Sequence, residues 1–452
     1  MPAVEEYGVE PIPAELRTTR WRDLFAINFT FFLNPVMYVV GAIAVAGFGL
    51  PFWWAILAIL VGQALAYAVM VPIAEVGVDY GLTGQVAARA TLGFWGARLL
   101  SSPYRVIAAT YWFAAQALAA GYAIQAVVVA MGAGKPPLVP VALGVALFHA
   151  TLAVLGFDVM RWLLRVVLPI SLGFVAVMVT LYASTDDPRF DVGRVFDSPD
   201  QHLTWVGFAG VVTLMAGSSL TLVTSVADFC RYTPTRRDVR IGLTASALAA
   251  AFVDTFIGGY AAAATGETNP FVAAAQLTSS EIVLALLLVA VVVQGISANI
   301  GNVYTAGLSL VNTLPVLGRL RATILVAISA VALSAAPDVI DSAQNWIVHL
   351  GNVAAPLAAV MLVDYVVVKR RQLDVAGLFD PEGPYRYLNG INVAAFVAVG
   401  AGVGLYYALD HSWLKIAWGL GAAALVYLVA LRLVSYAGTP TVASSQRSSS
   451  PS

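Results

Sequence analysis

The stretch FAINFTFFLNPVMYVVGAIA, residues 25–44, is apolar enough to cross a membrane but carries Asn34 and Pro35 about halfway along. Proline removes a backbone donor and disfavours helix at the residue before it, so we expect the helix to break there. A second apolar stretch, residues 204–229, carries Gly217–Ser219 at a similar depth, five predicted spans later. Matching breaks in the two halves of a hydrophobic chain indicate an inverted repeat with a binding site near the midplane.

The composition is that of a polytopic membrane protein. Of the 452 residues, 60% are hydrophobic and 11% are charged, whereas soluble domains carry roughly 25% charged residues. The net charge of −1 and the lack of a basic tract give no sign of nucleic-acid binding. The single cysteine, Cys230, excludes an intrachain disulfide.

Apolar runs between helix breakers predict twelve membrane-spanning helices. If the N-terminus is cytoplasmic, most of the 24 Lys and Arg fall in inside segments, including Arg105 at the start of span 3. This is the distribution that the positive-inside rule requires, so we expect a plasma-membrane protein with both termini cytoplasmic. The predicted spans are 24–48, 51–74, 105–131, 138–157, 163–184, 204–227, 240–264, 282–310, 321–336, 343–368, 391–410 and 413–435.

These spans divide the chain into five predicted segments. The matching breaks pair spans 1–5 with spans 6–10 as two repeats, and two helices follow them. The Ser/Thr/Pro-rich C-terminus has the composition of a disordered tail. The segments are a cytoplasmic N-terminal segment (1–23), repeat 1 (24–184), repeat 2 (204–368), spans 11–12 (391–435) and a disordered cytoplasmic tail (436–452).

Two spans at equivalent repeat positions carry polar side chains at mid-depth. In span 3, Trp112 and Gln116 are four residues apart and share a helix face. In span 8, within QGISANIGNVYTAG (294–307), Asn299 and Asn302 are three residues apart and also share a face. Such groups can be polar glue between helices, but beside two broken helices they predict a substrate site. Amides that donate and accept, with a Trp face for stacking, favour a neutral, flat, hydrogen-bonding substrate.

Five segments in order resemble the nucleobase:cation symporter family, of the purine/cytosine permease type. They are GLTGQVAARATLGFWGA after span 2, SVADFCRYTP after span 6, SANIGNVYTAGLSLVN in span 8, NVAAPLAAVMLVDYVVVKRRQLDV at the end of span 10, and GPYRYLNGINVAA entering span 11. The resemblance implies an all-α LeuT-type fold, with five plus five inverted-repeat helices and two more. It also implies uptake of bases or related heterocycles with sodium or protons.

The resemblance implies roles for the polar residues by their position in these motifs. Trp112 is expected to stack on the substrate, and Gln116 and Asn302 to contact it, with Asn299 as a further contact or a support. The broken spans add Asn34, Ser218 and Ser219 as candidate substrate contacts. The two serines stand where members of the family often place an aromatic residue, which leaves the second stacking partner open.

Sodium and proton coupling are both open from the sequence. In sodium-coupled members of this fold two adjacent span-8 hydroxyls meet carbonyls of span 1, whereas here Ser297 is followed by Ala298. For proton coupling the candidate is Asp254 in span 7, because a carboxylate in hydrocarbon is costly and is a functional candidate by default. Its structural alternative is a hydrogen bond to a neighbouring helix.

Three further residues are candidates for gating. Asp228 and Arg231 lie at the cytoplasmic end of span 6, where they suit an ion pair or an inner gate, and His349 lies in the expected outer-gate helix. No HExxH, P-loop, CxxC or Gly-x-Ser-x-Gly motif appears, and four scattered histidines make no metal site, so we expect neither an enzyme nor a cofactor.

The predicted function is symport of a nucleobase, such as cytosine or a purine, with a cation by alternating access. The first alternative is the same mechanism for another heterocycle: allantoin, hydantoin, uracil, thiamine or pyridoxine. A passive channel or facilitator is the alternative from another class. It requires a continuous polar lining, whereas paired broken helices favour one enclosed site.

Overall fold

A computed structural model describes residues 8–154, 157–410 and 413–434, so the predicted tail lies outside the described residues. Within these ranges the chain is helical and forms no β-strand. Its main helices are α1 (Trp21–Phe32), α2 (Pro35–Ala46), α3 (Phe52–Tyr80), α4 (Gly84–Leu92), α5 (Ser102–Ala130), α6 (Leu138–Val154), α7 (Phe157–Ser184), α8 (Trp205–Leu220), α9 (Val226–Cys230), α10 (Arg236–Thr265), α11 (Pro270–Gln276), α12 (Glu281–Thr313), α13 (Gly318–Leu333), α14 (Ala343–Leu362), α15 (Val393–Ala408) and α16 (Lys415–Leu433).

The described helices coincide with the predicted spans. Eight helical stretches are long and apolar enough to cross a membrane, or nine if α1 and α2 form one bent span. Three shorter apolar helices, α6, α8 and α15, occupy the remaining predicted spans. The all-α membrane fold is thus confirmed, and the count of twelve spans stays a prediction.

The first break has the residues and geometry that the sequence predicts. α1 and α2 meet at an angle of 63°. Asn34 is extended, and its side-chain Oδ1 accepts hydrogen bonds from the backbone N–H groups of Val36 (3.1 Å) and Met37 (3.0 Å). Pro35 is the first residue of α2, where its missing N–H is not needed. The break is therefore an N-capped helix start inside the protein.

The second break lies a few residues beyond its predicted position at Gly217–Ser219, so that prediction is wrong in detail. α8 continues through this stretch without a break. Gly217 allows α8 to pack closely on α14, since a Cβ there would lie 3.1 Å from Gly351 Cα. The helix ends where the Thr221 hydroxyl donates to the Ser218 carbonyl at 2.6 Å. Such local bonds compete with the helical ladder, and a turn follows before α9 begins.

One end of the helix bundle, here called the N-terminal face, carries the segment before α1, the end of α3 and the start of α10. Buried Glu75 on α3 pairs with Arg240 of α10 at 2.6 Å and with Arg371, which follows α14. Asp79 pairs with Arg236 at 2.7 Å. Because these carboxylates have cationic partners, α3 continues to its end at Tyr80, six residues past the predicted limit of span 2.

The contact between Gly217 and Gly351 generates a stability prediction. Gly351→Ala places a Cβ 2.6 Å from Gly217 Cα, and overpacking of this kind typically costs about 1–3 kcal/mol. We expect the variant to unfold at a lower temperature in detergent. The control is Gly404→Ala in α15, where a Cβ meets nothing within 4 Å and alanine is the better helix former. An unchanged midpoint for Gly351→Ala contradicts the close packing of α8 on α14.

Candidate functional site

A narrow cavity of about 20 Å³ lies where the two breaks meet α5 and α12. This volume admits about one water molecule, so a larger ligand requires the lining side chains to move apart. Its lining residues are Phe31, Phe32, Asn34, Met37, Trp112, Gln116, Ser218, Thr221, Leu222, Ala298 and Asn302. The structure thus brings together most of the predicted substrate contacts; Ser219 and Asn299 are the exceptions.

Ser219 and Asn299 are buried in contacts between helices. The Ser219 hydroxyl donates to Gln63 Oε1 of α3 at 2.5 Å. Asn299 Nδ2 lies 2.9 Å from Nδ1 of His149, a fully buried side chain on α6 whose Nε2 lies 2.9 Å from the Val292 carbonyl. A carbonyl only accepts, so Nε2 carries the proton and Nδ1 accepts from Asn299. Both predicted contacts therefore support the cavity wall and do not line it.

The amides at the first break hold one another in fixed orientations. Asn34 Oδ1, already bonded to two backbone N–H groups, also accepts from Gln116 Nε2 at 2.5 Å. Because backbone N–H groups only donate, the Asn34 atom that faces them is its oxygen, and Gln116 must present its nitrogen. Gln116 Oε1 lies 3.4 Å from the Val36 N–H. The polar-glue interpretation is thus partly correct for this pair, although both side chains still line the cavity.

Trp112 is anchored by its indole N–H, which donates to the Thr221 hydroxyl at 3.0 Å. This bond joins α5 to the second break and leaves the ring as an apolar wall of the cavity. Ser218 also lines the cavity, and its buried Oγ has no hydrogen-bond partner among the described residues. Phe31 and Phe32 add aromatic rings from the end of α1. Aromatic rings of span 1, in the FF pair just before the break, thus line the cavity, whereas span 6 contributes Ser218.

Arg105 is a functional candidate whose place differs from the sequence-based prediction. The charge distribution predicts a cytoplasmic segment for it, but it lies inside α5 with a fully buried side chain. Its Nη2 donates to Asn302 Oδ1 at 2.9 Å and to Thr305 Oγ1 at 2.7 Å. The sequence feature that could have identified Arg105 is its position seven residues before Trp112, which places both residues on one helix face.

The coupling candidates lie at two separate places. Ser297 Oγ is 3.2 Å from the hydroxyl of Thr30 on α1, a neighbour that the residues next to Ser297 in span 8 do not predict. Thr30 Oγ1 also lies near the carbonyls of Ala26 (2.8 Å) and Ile27 (3.1 Å). Asp254 is buried in α10 outside the cavity lining, and its Oδ1 has no partner among the described residues.

The gating candidates lie towards the ends of the bundle. At the N-terminal face, Asp228 Oδ1 accepts from the Gly84 N–H at 2.8 Å, and Arg231 donates to the Tyr304 hydroxyl of α12 at 2.9 Å. His349 Nδ1 lies 2.7 Å from the hydroxyl of Tyr407 and so joins α14 to α15. Within the described ranges, no cluster of three or more His, Cys, Asp or Glu could hold a metal ion.

The role of Asn34 generates a second stability prediction. Asn34→Ala removes the acceptor for two N–H groups of α2 and for Gln116, and loss of an N-cap costs about 0.5–2 kcal/mol. We expect a lower unfolding temperature of the purified protein. Asn34→Asp keeps an oxygen at this position and should lose less. If both variants unfold at the wild-type temperature, the capping interaction does not hold the break.

The chain matches the model of a family described as permease for cytosine/purines, uracil, thiamine, allantoin over residues 11–438. It is 24% identical to the hydantoin permease of Microbacterium maritypicum over 431 residues, covering 91% of this chain and 86% of that protein. It is also 24% identical to the allantoin permease of Bacillus subtilis over 468 residues, covering 94% and 92%.

Two solved structures share the fold. A nucleobase-cation-symport-1 family transporter, closed with bromovinylhydantoin bound, matches with a TM-score of 0.79 at 20% identity, covering 95% of this chain and 96% of that one. A Na⁺-coupled sialic acid symporter matches with a TM-score of 0.61 at 12% identity, covering 94% and 92%. The LeuT-type fold is thereby confirmed. The chain belongs to the family of permeases for cytosine and purines, uracil, thiamine and allantoin, and it is a multi-pass membrane transporter and not an enzyme.

Proposed function

We propose that this protein is a symporter that takes up a nucleobase, such as cytosine or a purine, or a related heterocycle with a cation by alternating access. The observation that carries the proposal is the cavity between two broken helices. It combines the Trp112 ring, whose N–H is bonded to Thr221, with the Ser218 hydroxyl and Asn302 Nδ2, which have no hydrogen-bond partner among the described residues. A flat ring of this class uses both features, because it stacks on an aromatic face and hydrogen-bonds at its edge.

The cavity lining favours a neutral substrate. None of its lining residues is Asp, Glu, Lys or Arg, and the buried Arg105 beside it donates to Asn302 and Thr305. A charged ligand without a partner in the lining is strongly unfavourable. Related proteins support the same class: one curated relative is named a hydantoin permease, another an allantoin permease, and the similar solved transporter contains bromovinylhydantoin.

Contacts at the two ends of the bundle support alternating access. At the N-terminal face, Arg231 bonds both Tyr304 of α12 and the Gly8 carbonyl, and these contacts suit an inner gate. At the other end, an open cleft of about 500 Å³ lies beside α5, between Lys135 and Glu267. We assign the N-terminal face to the cytoplasm of a plasma membrane, in accord with its arginines.

The substrate site is tested with two substitutions and one matched control. Trp112→Ala removes the stacking surface, worth about 1–3 kcal/mol per base, and Asn302→Ala removes the edge contact. We expect each to lower uptake of labelled cytosine or uracil into vesicles at least about tenfold. Trp418→Ala, on the exposed surface of α16, should transport normally. Wild-type uptake by both site variants, at equal amounts of folded protein, contradicts the assignment.

For the coupling ion we propose sodium, held near Thr30 and Ser297. Their hydroxyls are 3.2 Å apart, and they lie near the C-terminal end of α1, where free carbonyls and the helix dipole favour a cation. The partnerless Oδ1 of buried Asp254 supports the alternative, in which this carboxyl carries a proton. The two candidates lie on different helices and can be separated by mutation.

Uptake driven by an imposed sodium gradient and uptake driven by an imposed proton gradient distinguish the two. We expect sodium to drive uptake and the double variant Thr30→Val, Ser297→Ala to lose that stimulation. Asp254→Asn should keep it. Thr151→Val is the matched control, because its exposed hydroxyl also bonds a carbonyl one turn back. Uptake that is independent of sodium, sensitive to uncouplers and lost in Asp254→Asn contradicts the sodium proposal.

A further inference from the structure

Arg105 is a fully buried cation beside the cavity, yet it is not one of the lining residues. Its guanidinium is held on α12 from two directions: Nε donates to Thr305 Oγ1 at 3.1 Å, and Nη2 donates to Thr305 Oγ1 and to Asn302 Oδ1. Arginine has five N–H donors and no acceptor. Any amide that meets it must therefore present oxygen.

This constraint fixes the orientation of Asn302. An isolated asparagine can rotate its amide and offer either oxygen or nitrogen to a ligand, but Oδ1 of Asn302 is committed to Arg105 at 2.9 Å. The described residues give its Nδ2 no hydrogen-bond partner. Since Asn302 lines the cavity, the group that it offers to a ligand is an N–H donor.

The other amides that line the cavity do not offer a ligand a free hydrogen-bond acceptor. Gln116 Nε2 is bonded to Asn34, and Gln116 Oε1 already lies 3.4 Å from the Val36 N–H. The Ser218 hydroxyl is free to adapt, because it can donate or accept. Among the amides that line the cavity, Asn302 is thus the one whose oxygen is fixed towards a partner that only donates and whose nitrogen has no hydrogen-bond partner among the described residues.

We propose that Arg105 determines substrate selectivity by holding Asn302 as a hydrogen-bond donor, so that the site selects heterocycles that present a carbonyl oxygen to Asn302 Nδ2 over those with an exocyclic amine at the same ring position. This inference rests on the proposed function, because it concerns the same cavity. Arg105 is a positioning residue in this scheme: it acts on the ligand only through Asn302.

Two pairs of bases isolate the effect. Uracil and cytosine differ at one edge, where uracil has a carbonyl and an N–H and cytosine has an amine and a bare ring nitrogen. Hypoxanthine and adenine differ in the same way. Facing Asn302 Nδ2, the amine places two donors against each other, and a buried donor without an acceptor weakens binding about ten- to a hundredfold. We therefore expect wild-type protein to bind uracil over cytosine, or hypoxanthine over adenine, by such a factor.

The chain offers a matched control for the loss of a buried arginine. Arg89 on α4, like Arg105, donates to an asparagine oxygen of α12. Its Nε and Nη2 bond Asn312 Oδ1 at 3.1 and 2.5 Å. This pair has the same chemistry on the same helix but lies outside the cavity lining. Arg89→Met should lower stability and leave the ratio of base affinities unchanged.

The experiment measures competition by the four unlabelled bases against a bound labelled base in purified full-length protein. Arg105→Met frees the Asn302 amide to rotate and should reduce the ratio within the discriminated pair to about one. Arg105→Lys keeps a group that only donates, so it should retain the wild-type preference. Asn302→Asp should reverse it, because one carboxylate oxygen still meets Arg105 and the other now faces the cavity as an acceptor.

Each outcome bears on a different statement. A wild-type preference for cytosine and adenine, or an unchanged ratio in both Arg105→Met and Asn302→Asp, overturns the role of Arg105 and leaves the proposed function intact. If Arg105→Met does not fold, the wild-type ratio and the Asn302→Asp reversal still decide the question. Binding of none of the four bases by folded wild-type protein overturns this inference; loss of all heterocycle binding overturns the proposed function as well.

Discussion

The whole arrangement depends on one constraint: no backbone hydrogen-bonding group can stay unsatisfied inside a membrane. A helix broken at mid-depth exposes such groups, so each break needs side chains that replace the missing ladder. Asn34 does this at the first break by capping α2, and Thr221 does it at the second by bonding the Ser218 carbonyl. The cavity lies between these two helix breaks. The proposed binding site and the broken backbone are thus one feature of the molecule.

The same groups also decide what the cavity presents to a ligand. Backbone N–H groups and Arg105 can only donate, so they force the oxygen of Asn34 and of Asn302 towards themselves. Asn34 Oδ1 in turn accepts from Gln116 Nε2 and so fixes the orientation of the Gln116 amide. A membrane interior excludes the water that could otherwise satisfy a rotated amide. The hydrogen-bonding pattern of the site is therefore set by bonds within the protein, in part from Arg105 and the Val36 N–H outside the lining, and pre-organisation of this kind favours selective binding.

Much of this was accessible from the sequence. Hydropathy and proline placement located the first break and the helices, and the shared faces of Trp112 with Gln116 identified one wall of the cavity. The second break was misplaced because glycine and serine were interpreted as helix breakers, whereas Gly217 serves packing. Arg105 was missed because arginines near span ends usually lie in loops. Thr30 with Ser297 and Asn299 with His149 pair residues more than a hundred positions apart, which periodicity within one helix cannot reveal.

The most direct test of the account is an experimental structure of the protein with its tightest-binding base. The account predicts a ring stacked on Trp112 between the two breaks, with an acceptor atom within hydrogen-bonding distance of Asn302 Nδ2. A ligand bound elsewhere, or a closed cavity whose amides bond only to one another, would contradict it.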